Sequence, residues 1–505
     1  MTRGGAERST VWRSLIDWGH RDRVGPLLEV LLPGHSGAVN LALGGTEMVA
    51  LSEGKLFGTP IGVPSHEQSD LASLTLREIT PEPVEVSGVS MKDFTRHCRQ
   101  SEDLGISQAL RVEAPCLTTL VETDKHPIFV KVAAGKQHFA ALTSHGILYT
   151  WGKGGLWGAG SPLGHGDSKH RCRPTPVGQF IHAGEFVVDV ACGTASTCVV
   201  TSSGRVFSSG AADYGVNGSG MLISSQVFKE LEFFQGILSP GLVEVKRRIE
   251  ELQLQQLERL RKNFEEKGIE RSHIVARPFE APQDAPEDMN CGSATESVLS
   301  PSVSVGGGLR FPKVMSGTCH CGVLTPEGAL WLWGRNDRLQ LSREKSVMAS
   351  GGESHYPLLA EFFTRAGLPL ESCSLGPCHS LALARNGAVY EWGGQNAESP
   401  HTVDLHWEYP ESIFKRPVRK VVAGGFSSTT AFSAALTETG EAFLWGPGVL
   451  KMPLGLKATE GQVPELIRPP MPTRESMSQQ NNVDWRVLDI FAGQQGCLLV
   501  TTNSA

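Results

Sequence analysis

The strongest constraint on the fold of this chain is a repeat that occurs seven times. In each copy a glycine is followed, about eleven residues later, by a second glycine, and then by an aromatic residue and Trp-Gly or its equivalent. A unit this short cannot bury its own apolar side chains, so neighbouring copies must stack on one another. The copies begin at Gly44, Gly135, Gly193, Gly317, Gly376, Gly424 and Gly493.

Each copy has the pattern of short antiparallel strands joined by tight turns. A strand ends at the first glycine, a second strand contains Ala-Leu-Thr or a similar triplet, and a turn glycine precedes the third strand. Glycine suits that turn because hairpin turns require positive φ angles. Two residues at positions i and i+2 of the third strand share a sheet face, which predicts that they wedge one repeat against its neighbour. The pairs are Tyr149 and Trp151, Phe207 and Ser209, Trp331 and Trp333, Tyr390 and Trp392, and Phe443 and Trp445.

The repeat resembles that of a known family. The Gly-x-x-His step at Gly135, Gly317 and Gly376, the Ala-Leu-Thr strand and the aromatic-x-Trp-Gly ending are similar to the RCC1 (regulator of chromosome condensation) repeat. Residues 162–167, Pro-Leu-Gly-His-Gly-Asp, match the LGHGD loop of that family. The resemblance implies an all-β fold, a seven-bladed RCC1-like β-propeller with four short strands in each blade. We therefore expect residues 10–505 to form a single propeller of a divergent member.

The two ends of the chain predict how the ring closes. The last copy stops at Ala505, before its turn glycine and third strand, and the segment Ser14-Leu15-Ile16-Asp17-Trp18-Gly19 has the sequence of the missing strand. We expect this N-terminal strand to complete the final blade, because closure removes the unpaired strand edges of an open ring. The alternative is a frayed N-terminus in which Trp-Gly occurs by chance.

Two long gaps between copies indicate insertions. Residues 58–128 predict an extended inter-blade insertion, and residues 222–310 predict a helical insertion with a helix at about 240–267 and a flexible linker after it. Ser239 suits the N-cap, Pro240 the first helical position and Gly268 the C-terminal stop. The helix either lies along the side of the propeller or leaves it as a docking helix or dimer coiled coil. Its apolar stripe, the candidate partner-binding set, is Leu242, Val245, Ile249, Leu252, Leu257, Leu260 and Phe264.

Composition limits the partners. The formal net charge is −7, and basic clusters at 169–173 and 415–420 are short. We therefore do not expect nucleic acid as a partner except through an RNA–protein assembly. No apolar run approaches the roughly 18 to 20 residues of a membrane helix, so we expect no membrane span.

The cysteines bear on the compartment. Eleven cysteines occur without CxxC pairs, and several fall within repeat strands, which predicts free, mostly buried thiols in a reducing intracellular compartment. Cys319 and Cys321 share a strand face that His320 does not, so we interpret them as core residues rather than metal ligands. Arg3, Arg8 and Arg13 would suit a mitochondrial presequence, although Glu7 weakens that interpretation. Cytoplasm, nucleus and mitochondrion stay open.

No set of residues suits catalysis, a cofactor or a metal. The run Gly152-Lys153-Gly154-Gly155 lacks the Ser or Thr that a phosphate-binding loop needs after its lysine, and we interpret it as a structural turn. His138, His320 and His379 occupy equivalent positions of different copies. We expect each imidazole to satisfy local backbone hydrogen bonds, with a metal-ligand role as the minor alternative.

These observations favour a non-enzymatic interaction scaffold, a rigid propeller with a docking helix inside a multi-subunit complex of proteins. The alternative, suggested by resemblance to the founding member of the family, is a guanine-nucleotide exchange factor for a small Ras-like GTPase. No segment matches an exchange loop residue by residue, so the alternative rests on the fold alone.

Overall fold

A computed structural model describes the parts of the chain that form the blades. The described residues are 8–15, 28–31, 40–45, 47–59, 73–82, 127–155, 160–235, 238, 311–342, 352–394, 397–403, 417–449, 464–466, 485–494 and 496–503. The chain divides into two compact units, Met1–Leu238 with Phe311–Ala505, and Ser239–Arg310. All described residues belong to the first unit.

The described residues are nearly all β-structure. The strands of the first half are β1 (Arg8–Leu15), β2 (Leu28–Leu31), β3 (Asn40–Leu43), β4 (Met48–Ser52), β5 (Lys55–Gly58), β6 (Ser73–Thr75), β7 (Arg77–Glu78), β8 (Phe129–Ala134), β9 (His138–Thr143), β10 (Leu148–Gly152), β11 (Arg171–Pro176), β12 (Val187–Cys192), β13 (Ser196–Thr201), β14 (Val206–Gly210) and β15 (Ser225–Glu230). Those of the second half are β16 (Lys313–Ser316), β17 (His320–Leu324), β18 (Leu330–Arg335), β19 (Glu353–Leu359), β20 (Leu370–Leu375), β21 (His379–Ala384), β22 (Val389–Gly393), β23 (Ala397–Thr402), β24 (Val418–Gly424), β25 (Phe432–Thr437), β26 (Ala442–Trp445), β27 (Glu465–Leu466), β28 (Trp485–Gly493) and β29 (Gly496–Asn503). Two short α-helices, α1 (Gly178–Ala183) and α2 (Glu361–Arg365), connect blades.

The strands form seven sheets, which are the seven blades that the repeat predicted. In order from first to outer strand they are blade 1 (β3, β4, β5, β7), blade 2 (β8 to β11), blade 3 (β12 to β15), blade 4 (β16 to β19), blade 5 (β20 to β23), blade 6 (β24 to β27) and blade 7 (β28, β29, β1, β2, β6). The first strand of each blade contacts the first strand of the next, and β28 contacts β3. The ring is therefore closed.

The aromatic pairs of the third strands pack each blade against the preceding one, as predicted. Trp333 and Trp392 are fully buried. Tyr390 and Trp392 of blade 5 pack with leucines of blade 4 in one apolar cluster. The indole N–H groups add hydrogen bonds of 2.9 Å to the preceding blade: Trp333 to the carbonyl of Val216, Trp392 to the carbonyl of Gln340, and Trp445 to the carboxylate of Glu391. The hydrophobic core thus lies between blades, because each sheet buries both of its faces.

The N-terminal strand closes the ring, in a register four residues away from the predicted one. β1 lies between β29 and β2, with Ser14 opposite Cys497 and Leu15 opposite Gly496. In blade 2 the positions of Ser14 and Leu15 are taken by Trp151 and Gly152, which lie opposite Phe139 and His138. The Trp18-Gly19 pair was therefore the wrong anchor, and residues 16–27 lie outside the described part of the chain. The Trp-Gly pair is a similarity of two residues, whereas the register depends on pairing along all of β29.

The predicted insertions fall mostly outside the described residues. Strand β15, the outer strand of blade 3, lies at Ser225–Glu230, so the start of the range 222–310 belongs to the blade. The predicted helix at 240–267 and the linker after it are not among the described residues. Within 58–128, β6 (Ser73–Thr75) and β7 (Arg77–Glu78) are the outer strands of blades 7 and 1.

Candidate interaction face

Two kinds of connection leave the blades at the same end. Because adjacent strands alternate in direction, the turn between the first and second strands lies beside the loop between the third and fourth strands. In blade 2 the described residues of these connections are 135–137, 153–155 and 160–170, and in blade 3 they are 193–195 and 211–224. We call the end of the ring formed by these turns and loops the loop face.

The Gly-x-x-His step has a steric cause. A Cβ atom placed on Gly135 would lie 2.2 Å from the Cε1 atom of His138, and the same distance is 2.3 Å for Gly376 and His379. The imidazole ring occupies the space that any other residue would need for its side chain. A histidine at this position therefore requires glycine three residues before it.

The three histidines bond to the neighbouring blade, so the expectation that they bond to local backbone was wrong. In each case the imidazole Nε2 lies 3.0 Å from a hydroxyl of the next blade: His138 and Thr197, His320 and Ser380, and His379 and Ser433. Each hydroxyl donates to an oxygen of the same blade as the histidine: Pro162 carbonyl, Gln340 carbonyl and Glu391 carboxylate. The imidazole Nε2–H must therefore be the donor to the hydroxyl. The three sites are joints between blades.

Burial keeps these imidazoles neutral. It lowers the pKa of His138 to about 4, against a hydrogen bond to the Ser196 backbone that raises it. Burial, with a contribution from His379, lowers the pKa of His320 to about 3. Among the described residues, no cluster of three or more His, Cys, Asp or Glu side chains is placed to hold a metal ion.

The turns of the loop face form a ring of close backbone contacts. A Cβ atom on Gly135 would lie 2.4 Å from the carbonyl oxygen of Gly193, and one on Gly493 would lie 2.3 Å from that of Leu43. The amide of Gly45 donates to the carbonyl of Lys136 at 2.9 Å, a direct bond between the turns of blades 1 and 2. The repeat glycines therefore let seven turns converge at the centre.

Side chains cross the centre of this ring. Gln494 of blade 7 donates through Nε2 to the Thr194 hydroxyl of blade 3 at 3.0 Å. The ammonium of Lys136 in blade 2 lies 4.4 Å from the ring centroid of Phe426 in blade 6. Each pair joins blades that are three steps apart in a ring of seven, so both contacts span the central opening. The loop face is continuous at its centre.

The LGHGD loop at 162–167 is a structural element. The Thr150 hydroxyl donates to the Leu163 carbonyl at 2.7 Å, and a Cβ on Gly164 would lie 2.1 Å from the ring of Phe228. Asp167 accepts two hydrogen bonds from the Arg171 guanidinium, which lowers the pKa of this carboxyl. These contacts hold the loop against the outer strand of blade 3.

The Lys153 turn does not cradle a phosphate. A phosphate-binding loop offers free backbone N–H groups. Here the amide of Gly154 donates to Nδ1 of His170 at 3.2 Å, and a Cβ on Gly154 would lie 2.1 Å from the Lys169 carbonyl. These contacts agree with the interpretation of this glycine run as a structural turn.

The loop at 211–224 of blade 3 reaches over blade 4. The indole N–H of Trp333 donates to the Val216 carbonyl, and the Arg335 Cζ atom lies 4.8 Å from the ring centroid of Tyr214. The Gly220 amide donates to the His355 carbonyl at 2.9 Å. Beyond this anchored part, Met221, Leu222 and Ile223 are exposed. Sequence reasoning missed them, although three consecutive apolar residues after a glycine-rich turn were a visible signal.

The predicted partner-binding residues Leu242, Val245, Ile249, Leu252, Leu257, Leu260 and Phe264 lie outside the described part of the chain. Their role stays a prediction. Among the described residues no helix is both long and apolar enough to cross a membrane.

The buried cysteines have the character that the sequence predicted. Cys192, Cys198, Cys321 and Cys378 are buried and unbridged. Burial raises the pKa of the Cys192 thiol to about 12 and that of Cys378 to about 11. These thiols are apolar core groups and not nucleophiles.

Comparison with known proteins agrees with this geometry. The regulator of chromosome condensation (RCC1) repeat matches residues 129–156 and 145–200. The chain is 26% identical over 322 residues to the human E3 ubiquitin-protein ligase HERC2, covering 63% of this chain and 5% of HERC2. It is 25% identical over 333 residues to the Arabidopsis thaliana ultraviolet-B receptor UVR8, covering 62% of this chain and 64% of UVR8. The chain thus spans less than two thirds of either relative, and their activities do not transfer with the match.

A solved structure shows the same fold. The crystal structure of Prp20p from Saccharomyces cerevisiae, described with its binding to Gsp1p and histones, superimposes with a TM-score of 0.55 at 15% identity. The match covers all of this chain and 93% of that one. Two matching repeats, a ring of seven blades and Gly-x-x-His contacts at three of its joints support a divergent member of the RCC1-repeat β-propeller family.

Proposed function

We propose that this chain is a non-enzymatic interaction scaffold, a rigid ring that presents its loop face and the segment 239–310 to other proteins of an assembly. The observation that carries the proposal is the loop face itself. Its centre is spanned by the Gln494–Thr194 and Lys136–Phe426 contacts, and it carries exposed apolar and basic side chains. A continuous surface of this kind suits docking of a protein partner.

The apolar stripe from Leu242 to Phe264 is the second part of the proposal. A helix with such a stripe binds in a groove or pairs with another helix when its own domain does not cover it. The stripe would then supply the contact that holds the scaffold in a multi-subunit, intracellular complex.

The test is a deletion that leaves every described blade intact. Residues 239–310 are replaced by a Gly-Ser linker, which retains β15, and the full chain and the deletion variant are used for native affinity purification with mass spectrometry. We expect a set of partners with the full chain and loss of a subset without 239–310, at equal thermal stability of the two proteins. Identical partner sets for both proteins would remove the stripe from the proposal.

The alternative is guanine-nucleotide exchange on a small Ras-like GTPase. It is favoured by the fold shared with Prp20p, which is described as binding Gsp1p. Exchange would require the loop face to open the nucleotide site of the GTPase and to stabilise its empty form. Release of a fluorescent GDP analogue from a panel of small GTPases tests this directly. Accelerated release by catalytic amounts of this chain would replace the scaffold proposal.

A further inference from the structure

An apolar cluster projects from the loop face of blade 3. Met221 is 61% exposed, Leu222 and Ile223 are each 56% exposed, and Val227 on the adjoining strand is 41% exposed. Single exposed apolar residues are ordinary on protein surfaces, whereas contiguous groups mark interaction sites. Here three consecutive large side chains and a fourth beside them face solvent.

The backbone that carries this cluster is held firmly. The Asn217 side-chain amide donates to the carbonyls of Met221 at 2.9 Å and Ile223 at 3.1 Å. The Ser224 hydroxyl accepts from the Ala212 amide at 3.2 Å, which ties the two ends of the loop together. An ordered loop loses little conformational entropy on binding, so the exposed side chains are pre-organised for a partner.

Basic side chains lie on the connection and outer strand of blade 2, and that connection contacts the strand that carries Val227. Val227 bridges to His165, and the Gln226 side chain donates to the Ser168 hydroxyl at 2.9 Å. The following residue, Lys169, and Arg173 on β11 are exposed. Neither forms an ion pair within the part of the chain that the structure describes, whereas Arg171 between them is paired with Asp167. Both positive charges are therefore exposed on this side of blade 2, and the Asp167 carboxylate lies close enough to interact electrostatically with Lys169.

The charge of this surface opposes that of the chain. The chain has a formal net charge of −7. On this side of blades 2 and 3 the exposed cations are Lys153, Lys169 and Arg173, and the exposed acids are Asp213 and Glu82, whose amide donates to the Pro174 carbonyl next to Arg173. Oppositely charged surfaces attract and orient partners, and apolar contacts then provide most of the affinity.

We propose that the surface formed by Met221, Leu222, Ile223, Val227, Lys169 and Arg173 binds an acidic protein segment that carries aliphatic side chains. The apolar cluster holds the aliphatic groups, and Lys169 and Arg173 pair with the carboxylates. The proposal rests on the interaction role given above, and it concerns a surface that is separate in sequence from residues 239–310.

The experiment is a selection of random 12-residue peptides displayed on phage against the full-length chain. We expect enriched peptides in which Asp and Glu outnumber Lys and Arg and in which Leu, Ile or Val recur. The most enriched peptide is then labelled with fluorescein, and its affinity is measured by fluorescence anisotropy against variants of the chain. A single-stranded RNA of 12 nucleotides is measured in parallel.

Two pairs of substitutions test the two halves of the surface. Leu222→Ser with Ile223→Ser, and Lys169→Glu with Arg173→Glu, should each weaken peptide binding by about tenfold or more. The charge variant should also flatten the salt dependence of binding. Matched controls lie at the other end of the blades. Val130→Ser changes a residue that is 49% exposed on β8, and Lys313→Glu changes an exposed residue on β16; both should bind within about twofold of the parent.

All substituted side chains are exposed, and thermal unfolding of each variant verifies that it is folded. Enrichment of peptides without an acidic excess, or no enrichment, overturns the proposal. The proposal is also overturned if neither pair of substitutions changes the affinity for the peptide. RNA that binds more tightly than the peptide and depends on Lys169 and Arg173 but not on Leu222 and Ile223 makes the surface a nucleic-acid site instead. Failure of these tests with loss of partners on deletion of 239–310 would leave the scaffold proposal intact.

Discussion

Gln494 and Thr194 are 300 positions apart and lie in blades on opposite sides of the ring, yet the Gln494 amide donates to the Thr194 hydroxyl at 3.0 Å. The bond ties blade 7, which contains both chain ends, to blade 3. It acts together with the Lys136–Phe426 contact, which joins blades 2 and 6. A ring stabilised only by contacts between neighbours could shear at any joint, and contacts across the centre oppose that motion.

The cross-ring bond should be measurable by a double-mutant cycle. Gln494→Ala and Thr194→Val should each lower the free energy of unfolding by about 1 kcal/mol, with a coupling of about 0.5–1.5 kcal/mol between them. Urea unfolding gives all three values. Gln226→Ala is the control, because its bond to Ser168 lies on the exposed surface and its loss should change stability by less than about 0.5 kcal/mol. Strict additivity of the two substitutions would show that the bond does not form.

Convergence of the turns requires glycine. A Cβ on Gly135 would meet both the His138 ring at 2.2 Å and the Gly193 carbonyl at 2.4 Å. Gly135→Ala should therefore lower the free energy of unfolding by about 1–3 kcal/mol, since overpacking forces backbone shifts. Gly178→Ala at the start of α1 is the control, because its nearest contact would be at an ordinary 3.4 Å. Equal melting temperatures for the two variants would contradict the steric account.

The register of the closing strand is testable by cross-linking. Val11 lies opposite Val500. Directly opposed residues of an antiparallel pair have Cα atoms about 4.5–5.5 Å apart, within the range of a disulfide. Val11→Cys with Val500→Cys should form a disulfide on mild oxidation, detected by peptide mass spectrometry. Leu15→Cys with Val500→Cys corresponds to the register suggested by Trp18-Gly19, and we expect no cross-link. The reverse result would restore that register.

The buried histidines predict a loss of stability in mild acid. The pKa of His138 is lowered to about 4 in the folded chain, against about 6.5 when unfolded. The unfolded state therefore binds the proton more readily, and the contribution of His138 to stability is complete above about pH 7 and falls as the pH drops from 6.5 towards 4. The loss is on the order of 3 kcal/mol for this residue.

His138→Gln tests this dependence. At pH 8 the variant should be less stable than the parent, because the glutamine fits the Thr197 joint less well. As the pH falls from 6.5 to 4 the difference should shrink, since the variant has lost the titrating group. Chemical unfolding at several pH values measures it. A pH-independent difference would show that the pKa of His138 is the same in the folded and unfolded states.

Much of the fold was predictable because the repeat is local. The turn glycines, the paired aromatic residues of the third strands and the apolar first strands each follow from spacing within a copy. Seven copies predicted seven blades, and stacking predicted aromatic contacts between blades. The prediction based on Trp18-Gly19 was wrong because it, too, relied on a local pattern. A dipeptide is a local signal, whereas the register of β1 is set by the pairing of eight of its residues with β29.

The site was less predictable than the fold. The Gly-x-x-His step was visible, but its partners were not, because Thr197 lies 59 positions after His138 and belongs to the next blade. The contact between the segments that contain Ser168 and Gln226 was hidden for the same reason. Each segment alone reads as an ordinary solvated loop, and only the arrangement of blades 2 and 3 places them side by side.

The sequence by itself determined the repeat, the all-β class, the number of blades and the closure of the ring by the N-terminal strand, because these follow from short-range periodicity and from the need to bury apolar strands. Only the tertiary structure decided the register of β1, the histidine–hydroxyl joints, the Gln494–Thr194 bond and the apolar and basic surface of blades 2 and 3. Those features depend on which residues of distant segments face one another, and in a closed ring that is set by the packing of all seven blades together.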